Sequence, residues 1–371
     1  MVAHLAICRA RTLLAVILCR RAATCRPDSS LRRRSRKRTA GGVVTPIGAG
    51  PVSLDVVICT YNNAAGLELA LAALGRQQAP REASWRVLVV DNNCTDDTAE
   101  VVNRHVRAGN VPDLRRVLER EQGLTPARRR GVTETVGDWI AFVDDDCLIA
   151  DDWIAAAAGF ASGHPGCGAF GGRVIVGWES PPPRYLHRYG WLFAEQDLGA
   201  YQREVDWLVG AGMVVNRSAL QTSGWSREPL LEDRVGTKLI SGGDVEIALR
   251  IRGAGFPLWY VPTCELRHLV PARRTEHRYL RSLNEGLGVS QVLVGALTWE
   301  SSAAAWLAAA VKGCVDGSGR LLWRLVGALR WRTGVIELAM DAAFVRGQWL
   351  GVWRLVRNGR RRRTLLGQAV R

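Results

Sequence analysis

Short apolar runs and helix-like segments alternate along the chain from about residue 54. The apolar runs at 54–59, 86–90 and 139–143 are rich in β-branched residues, and each is followed by a cluster of polar side chains. Such runs are typical of strands that are buried on both faces of a sheet. Between them, apolar residues recur at helical spacing, as in 64–74. The pattern predicts repeated β-α-β units, and therefore an α/β, Rossmann-like, mostly parallel sheet with helices on both faces.

Weaker signals complete the predicted organisation. Further strands are expected at 114–118, 210–216 and 258–261, and further helices at 98–106, 126–136 and 243–253. We expect a basic, disordered leader at 1–52, an α/β domain at 53–275 and a helical, Arg- and Trp-rich C-terminal region at 276–371. A targeting signal is the alternative interpretation of the leader, since it contains an apolar run flanked by arginines.

Charge is unevenly distributed along the chain. The net charge of +15 combines +10 in each of the segments 1–52 and 320–371 with −5 between them. Basic ends are attracted to anionic membrane surfaces or nucleic acid, whereas an acidic middle suggests a carboxylate-rich site that needs a cation. The 9 cysteines are scattered without a CxxC pair. This favours reduced thiols in a cytosolic protein over a disulfide framework or a zinc site.

The densest group of acids, Asp144-Asp145-Asp146, follows a predicted buried strand. Three adjacent carboxylates repel one another unless they are solvated or bound to a cation. Because side chains alternate along an extended chain, Asp144 and Asp146 can face the same way. Mg²⁺ and Mn²⁺ commonly bind one or two carboxylates together with substrate phosphates. The triplet therefore indicates either a metal site or a solvated acidic turn.

Other residues have both a chemical and a structural interpretation. Asp91, at the end of the second strand, can accept a hydrogen bond from a base or act as a turn residue. Asp244 and Glu246 begin a predicted helix, where an acid can be a general base or simply stabilise the helix dipole. Arg128, in an arginine cluster, can hold a diphosphate or lie on a solvated face. His268 can bind metal or phosphate, or be an ordinary polar residue.

Five segments occur in an order that is more specific than any one of them. Together they resemble the inverting glycosyltransferases of family 2, which have the GT-A fold. The resemblance covers about residues 53–275, and the matching segments are VVICTYNNAAGLELAL, VLVVDNNCTDDT, GLTPARRRGV, WIAFVDDDCLIADDW and ISGGDVEIALRIRGAGF.

The resemblance implies a nucleotide pocket at the ends of the first two strands. Thr60 and Tyr61 would line this pocket, and Asp91 would hold the base, which is uracil in many relatives. Arg128 matches the arginine of the family's Gly-Leu-x-x-Ala-Arg-Asn block and would lie near the nucleotide. A nucleotide-sugar donor, with a UDP-sugar favoured, is therefore expected.

The resemblance also implies a metal site that contacts the donor diphosphate. Asp144 and Asp146 match the family's Asp-x-Asp pair, with Asp146 as the better candidate for direct contact with Mn²⁺ or Mg²⁺. Asp145 lies between them and would be close to the bound donor. The late His268 is a further candidate metal ligand.

Asp244 matches the family's late acidic base, which would deprotonate the acceptor hydroxyl. The hydroxyl would then displace the diphosphate in one inverting step, so no covalent intermediate is needed. Two departures from the family pattern affect these assignments. Gly243 stands where the family often has Glu, which leaves Glu246 open as the base. Arg129 stands where the family has Asn, so contacts to the donor are expected to differ.

By resemblance, the expected role is sugar transfer to a saccharide or lipid-linked acceptor in polysaccharide or glycolipid synthesis. One alternative is a nucleotidyltransferase on a similar sheet, although such enzymes usually have a Gly-rich basic loop after the first strand. Another is a non-catalytic basic protein that binds a membrane or nucleic acid. No nucleic-acid-binding motif is present, and the acidic middle disfavours nucleic acid as a partner.

Trp and Arg residues interleave over 276–371. This pattern is typical of amphipathic helices at a bilayer interface. No segment has about twenty uninterrupted apolar residues, so a spanning helix is not expected. We predict a cytoplasmic protein that is attached peripherally to the anionic inner face of the cell membrane. The alternative is a helical cap that packs on the α/β domain and leaves its arginines solvated.

Overall fold

The computed structural model describes residues 52–79, 83–231, 233–236, 238–328 and 334–367. The predicted leader at 1–52 lies outside the described residues, except for its last residue. In chain order, the strands of the described part are β1 Ser53–Thr60, β2 Ser84–Asp91, β3 Arg115–Leu118, β4 Trp139–Phe142, β5 Cys147–Ile149, β6 Ala169–Gly171, β7 Val174–Trp178, β8 Arg203–Val205, β9 Met213–Asn216, β10 Leu258–Tyr260 and β11 Leu266–Val270.

The helices of the same part are α1 Ala64–Leu74, α2 Thr98–Ala108, α3 Leu124–Glu134, α4 Trp153–Gly163, α5 Arg217–Thr222, α6 Gly243–Gly253, α7 His277–Leu297, α8 Ala303–Ala328, α9 Val335–Arg357 and α10 Gly359–Gly367. Short 3-10 segments span Arg184–Phe193 and Ala272–Thr275. The bounds of α1 and α6 agree with the sequence prediction, because apolar spacing marks both helices over their full length.

The main sheet has the order β3-β2-β1-β4-β9-β6-β10-β8. Strands β3, β2, β1 and β4 are parallel neighbours, and β10 is parallel to β6. Strand β9 runs antiparallel to both β4 and β6, and β8 runs antiparallel to β10. The predicted α/β fold with a mostly parallel sheet is confirmed, with β9 as a reversed strand in its middle.

Helices cover both faces of the sheet. Successive residues of β1 point to opposite sides and therefore pack against different helices. Ile58 packs in one apolar cluster with residues of α1, α2 and α4, whereas Val57 packs in another with residues of α3 and α6. Gly131 allows α3 to approach β1 closely, since a Cβ at this position would overlap the side chain of Val57. With both faces buried, the carboxyl ends of the strands are the edge available for polar chemistry.

A smaller sheet, which the sequence pattern did not reveal, has the order β5-β11-β7. Strand β11 is antiparallel to β5 and parallel to β7. His268 lies inside β11, in register with Cys147 of β5. Because β5 directly follows Asp146, this pairing brings His268 to the acidic end of β4.

The C-terminal helices pack against the segment that precedes α6. A Cβ at Gly286 of α7 would overlap the carbonyl group of Leu239. Nearby, the backbone N–H of Ser241 donates a hydrogen bond to Ser290 Oγ of α7 at 3.0 Å. Helix α7 therefore supports the chain as it enters α6, the helix that carries Asp244.

Helices α7 and α9 also approach each other closely. A Cβ at Gly288 would overlap the carbonyl group of Phe344, and a Cβ at Gly347 would overlap that of Glu285. The absence of side chains at these two positions permits this close helix pair. Within the described segments, none of the helices combines the length and the apolar character needed to span a membrane.

Candidate active site

The ends of β1 and β2 form one side of the site. Thr60 and Asp91 are in register as the last residues of these strands. Asp91 is buried, accepts a hydrogen bond from the backbone N–H of Cys94 at 2.8 Å, and pairs with Arg116 Nη1 of β3 at 2.6 Å. Tyr61 follows β1 and is exposed. The residues predicted to contact the nucleotide thus share one edge, with Arg116 as a neighbour that the sequence pattern did not single out.

The loop that leads into α3 is tied to the end of β2 by Asn92. Its Nδ2 donates hydrogen bonds to the carbonyl oxygens of Glu119 and Glu121, and its Oδ1 accepts one from the backbone N–H of Gly123 at 2.7 Å. Gly123 has a φ of 139°, a backbone conformation that L side chains rarely adopt. These contacts place the beginning of α3, the helix that carries Arg128, at the same edge of the sheet as Asp91.

Asp145 is held by the end of β1. Thr60 Oγ1 donates a hydrogen bond to its Oδ2 at 2.6 Å, and Asn63 Nδ2 donates one to its Oδ1 at 2.9 Å. Burial, reinforced by the neighbouring Asp146 carboxylate, raises the pKa of Asp145 to about 7. Both of its oxygens thus accept hydrogen bonds from the protein, and Asp145 joins the turn after β4 to the end of β1.

Asp146 lies where the two sheets meet. Its Oδ1 is 3.3 Å from His268 Nε2, and its Oδ2 is 2.8 Å from Arg274 Nη1. The other ring nitrogen of His268, Nδ1, is 2.7 Å from the carbonyl oxygen of Phe193, to which it donates. Burial alone would raise the pKa of Asp146, but His268 and Arg274 hold it well below its ordinary value. Asp146 is therefore a carboxylate held between an imidazole and a guanidinium.

The donor atoms at this position suit a hard divalent cation. One oxygen each from Asp144 and Asp146 and the sulfur of Cys147 lie within 4.8 Å of one another. Burial raises the pKa of the Cys147 thiol well above its ordinary value, so the sulfur stays protonated and is a poor ligand. Carboxylate oxygens and an imidazole nitrogen are ligands that Mn²⁺ and Mg²⁺ sites use. The carboxylates of Asp144 and Asp146 therefore fit the predicted metal, and His268 lies beside Asp146 as a further candidate ligand.

Arg128 is buried rather than part of a solvated helix face. Its Nη1 donates a hydrogen bond to Asp233 Oδ2 at 3.0 Å, and its Nη2 lies 3.9 Å from Asp144 Oδ1. The guanidinium carbon is 5.7 Å from the ring centroid of Phe142. Burial raises the pKa of Asp233 to about 6, although Arg128 opposes the shift. Arg128 thus connects the acidic end of β4 to Asp233, a residue that the sequence pattern did not single out.

Gly243 and Asp233 share the space beside α6. A Cβ at Gly243 would overlap the Asp233 carboxylate. The glutamate that the resemblance leads us to expect at this position would displace this carboxylate. Asp233 brings a carboxylate to that space from a different segment. The neighbouring Asp244 accepts a hydrogen bond from the backbone N–H of Gly210 at 3.0 Å.

Glu246 is fully buried one turn along α6. Its carboxylate accepts hydrogen bonds from the backbone N–H groups of Leu230 at 2.9 Å and Leu231 at 2.8 Å. Arg250 Nη1 adds a further contact at 3.0 Å. These contacts tie the loop before Asp233 to α6. They also distinguish Glu246, which is held by two backbone N–H groups and Arg250, from Asp244, which accepts one hydrogen bond from Gly210.

Comparison with known proteins agrees with this fold. The family model described as "Glycosyl transferase family 2" matches residues 55–224. The chain is 28% identical to Glycosyltransferase AglE of Haloferax volcanii over 242 residues, which cover 64% of this chain and 73% of that protein. It is 25% identical to the glucosyl-dolichyl phosphate glucuronosyltransferase of the same organism, over 62% of this chain and 73% of the relative.

A solved structure of a Pyrobaculum calidifontis mannosyltransferase, in complex with GDP-Man and Mn²⁺, has a similar fold. The two chains superpose with a TM-score of 0.54 at 20% sequence identity, over 83% of this chain and 90% of the other. At this identity the likeness concerns the fold. The family match, the similar curated glycosyltransferases and the shared architecture agree with the resemblance noted in the sequence. Residues 55–224 match glycosyl transferase family 2, and the chain has the GT-A fold.

Proposed function

We propose that this protein transfers a sugar from a nucleoside-diphosphate sugar to an acceptor hydroxyl, with inversion at the anomeric carbon and with a bound divalent cation. The carboxylates of Asp144 and Asp146, close together in the turn after β4 with His268 of β11 beside Asp146, carry this proposal. When bound there, Mn²⁺ or Mg²⁺ would neutralise the departing diphosphate. The mannosyltransferase with a similar fold was solved with Mn²⁺ and GDP-Man, which supports the choice of cofactor and donor class.

Asp244 is the proposed general base. It begins α6, and the backbone N–H of Gly210 orients one of its carboxylate oxygens. A carboxylate that takes the proton of the acceptor hydroxyl is sufficient for a single displacement, so no nucleophilic side chain is required. Glu246 is the less suitable candidate, because it is buried and already accepts hydrogen bonds from two backbone N–H groups.

The nucleotide is proposed to bind along the ends of β1 and β2. Asp91 would hold the base, while Thr60 and Tyr61 line the pocket and Arg128 lies towards the diphosphate. Arg116 already pairs with Asp91, so this carboxylate has one cationic partner before the base arrives. A UDP-sugar remains the favoured donor. Asp145 would act by holding the pocket and the metal-binding turn together, through Thr60 and Asn63.

A panel of nucleotide sugars assayed with Mn²⁺, Mg²⁺ or EDTA tests the proposed reaction. We expect release of the nucleoside diphosphate from one donor, and loss of this release in EDTA. Release of pyrophosphate instead would indicate nucleotidyl transfer, the alternative that the sequence left open. Inversion is tested by comparing the anomeric configuration of donor and product by NMR.

The acceptor is proposed to be a saccharide or a lipid-linked sugar, in polysaccharide or glycolipid synthesis. One similar curated protein acts on glucosyl-dolichyl phosphate, according to its name. This likeness favours a lipid-linked acceptor, and the proposed place of action is the inner face of the cell membrane. Extraction of products into organic solvent after incubation with membranes distinguishes a lipid-linked product from a soluble one.

Arg274 is predicted to compete with the metal for Asp146. Its guanidinium pairs with Asp146 Oδ2 at 2.8 Å. A metal ion that binds this oxygen therefore has to displace the guanidinium. We expect Arg274→Ala to strengthen Mn²⁺ binding in the absence of donor by about three- to tenfold, in line with loss of an ion pair worth roughly 1 kcal/mol. Electron paramagnetic resonance of free and bound Mn²⁺ measures this affinity.

Arg273→Ala is the matched control for this measurement. Arg273 is adjacent in sequence and exposed, and we expect its replacement to leave Mn²⁺ affinity unchanged. Weaker Mn²⁺ binding by Arg274→Ala than by wild type would contradict the competition.

A further inference from the structure

An apolar stripe runs along the outer face of α8. Val315, Leu322 and Val326 recur at helical spacing and are exposed, as is Trp323 beside them. Trp323 is 78% exposed, which is unusual for the largest apolar side chain. Contiguous exposed apolar residues of this size mark a surface that binds something other than water.

The stripe continues onto α9. Trp349 Nε1 donates a hydrogen bond to Ser318 Oγ of α8 at 3.3 Å, which places the Trp349 ring beside the stripe. Trp353 lies one helical turn further along α9 and is 52% exposed. Arg324 of α8 pairs with Asp341 of α9 and holds the two helices together. The exposed residues of both helices therefore form one surface.

Arg357 lies at this surface, and more arginines follow it in the chain. The guanidinium of Arg357 stacks over the Trp353 ring, 4.6 Å from its centroid. Residues 334–367 contain 7 arginines and only 2 carboxylates, and Arg360–Arg363 form a block at the start of α10. Trp rings with arginines around them are typical of protein surfaces that rest at the headgroup level of a bilayer.

We propose that the outer face of α8 and α9 docks on an anionic lipid bilayer, with both helices lying along the membrane plane. We call this surface the docking face and define it by Val315, Leu322, Trp323, Val326 and Trp353. These arginines favour anionic headgroups. They also repel a second copy of this chain, since each copy would present the same positive charge.

The docking face is connected to the active site through α7. Helix α9 contacts α7 closely at Gly288 and Gly347, and α7 supports the segment from Leu239 to Ser241 that leads into Asp244. Docking would therefore hold the active-site cleft at the bilayer surface, where a lipid-linked acceptor would be presented. Only this consequence for the acceptor rests on the proposed function, because docking itself needs no catalysis.

Co-sedimentation of the full-length protein with vesicles tests the docking face. We expect binding to phosphatidylcholine vesicles that contain phosphatidylglycerol, and weaker binding to phosphatidylcholine alone or at high salt. The double variant Leu322→Ser/Trp323→Ser should bind about tenfold more weakly, because it loses two side chains that enter the interface. Arg360→Gln/Arg363→Gln should selectively weaken binding to the anionic vesicles.

Trp191→Ser is the matched control. Trp191 is 45% exposed but lies in the 3-10 segment Arg184–Phe193, outside the docking face, and its replacement should leave vesicle binding unchanged. Thermal unfolding and release of nucleoside diphosphate with a soluble acceptor should be the same for the docking variants and wild type. Failure of sugar transfer would therefore be seen separately from failure of docking.

Three results would overturn the docking proposal. The first is equal vesicle binding by wild type and Leu322→Ser/Trp323→Ser, and the second is no binding by wild type at low salt. The third is a wild-type dimer that this double variant converts to a monomer, because the face would then be a contact between copies. Analytical ultracentrifugation without lipid distinguishes that outcome.

Discussion

Asp146→Asn is expected to abolish sugar transfer, with a loss in kcat/KM of at least about 10³-fold, equivalent to roughly 4 kcal/mol. Asp146 is the carboxylate that meets both His268 and Arg274 at the junction of the two sheets. An amide has nearly the same shape but lacks the negative charge that a divalent cation requires. Release of nucleoside diphosphate measures the loss, and Mn²⁺ titration should show that binding of the cation is weakened in parallel.

The structure offers a matched control for this substitution. Asp151 lies just after β5 and forms an exposed ion pair with Arg76 at 3.3 Å. Asp151→Asn removes the same charge outside the cleft and should change activity by no more than about twofold, as expected for a surface pair. Full activity of Asp146→Asn, or undiminished activity of wild type in EDTA, would contradict a metal role for Asp146.

Asp244→Asn is expected to lower kcat by about 10²- to 10⁴-fold, the range typical of a lost general base. Binding of donor and Mn²⁺ should change little, because Asp244 lies on the acceptor side of the proposed mechanism. The amide can still approach the backbone N–H of Gly210, so a large loss of stability is not expected. Single-turnover transfer and isothermal titration with the nucleoside diphosphate separate these two effects.

Glu246→Gln provides the comparison that assigns the base. Glu246 accepts hydrogen bonds from Leu230 and Leu231 and contacts Arg250. Its amide variant should therefore lower the melting temperature while the folded fraction keeps its kcat. A stable but inactive Glu246→Gln, together with an active Asp244→Asn, would show that the base is misassigned.

Much of the α/β domain was predictable because its strands are short, apolar and buried on both faces. The local sequence is sufficient to predict such strands. The polar residues that follow them must meet at one edge of a parallel sheet. Thr60, Asp91 and the triplet from Asp144 end or follow such strands, so the sequence alone is sufficient to expect them at one edge. The ordered segments added the family, which the match over 55–224 supports.

Contacts between distant segments were the part that local patterns did not reveal. Asp233 lies 105 residues from Arg128, and nothing in its own neighbourhood marks it as buried beside Gly243. His268 stands in a five-residue strand whose partners are β5 and β7. Arg274 belongs to an Arg pair that is indistinguishable in sequence from many solvated ones. In each case the informative neighbour is remote in the chain.

In the C-terminal helices, too, the local sequence predicted the elements but not their contacts. Interleaved Trp and Arg residues in otherwise helical segments were enough to predict amphipathic helices. Which faces remain exposed depended on glycine contacts between α7 and α9, and on pairing of α8 with α9. Periodicity is a short-range property that each segment carries in its own residues. The choice of partners, and hence the fine geometry of the metal-binding and base residues, arises only when the segments pack against one another.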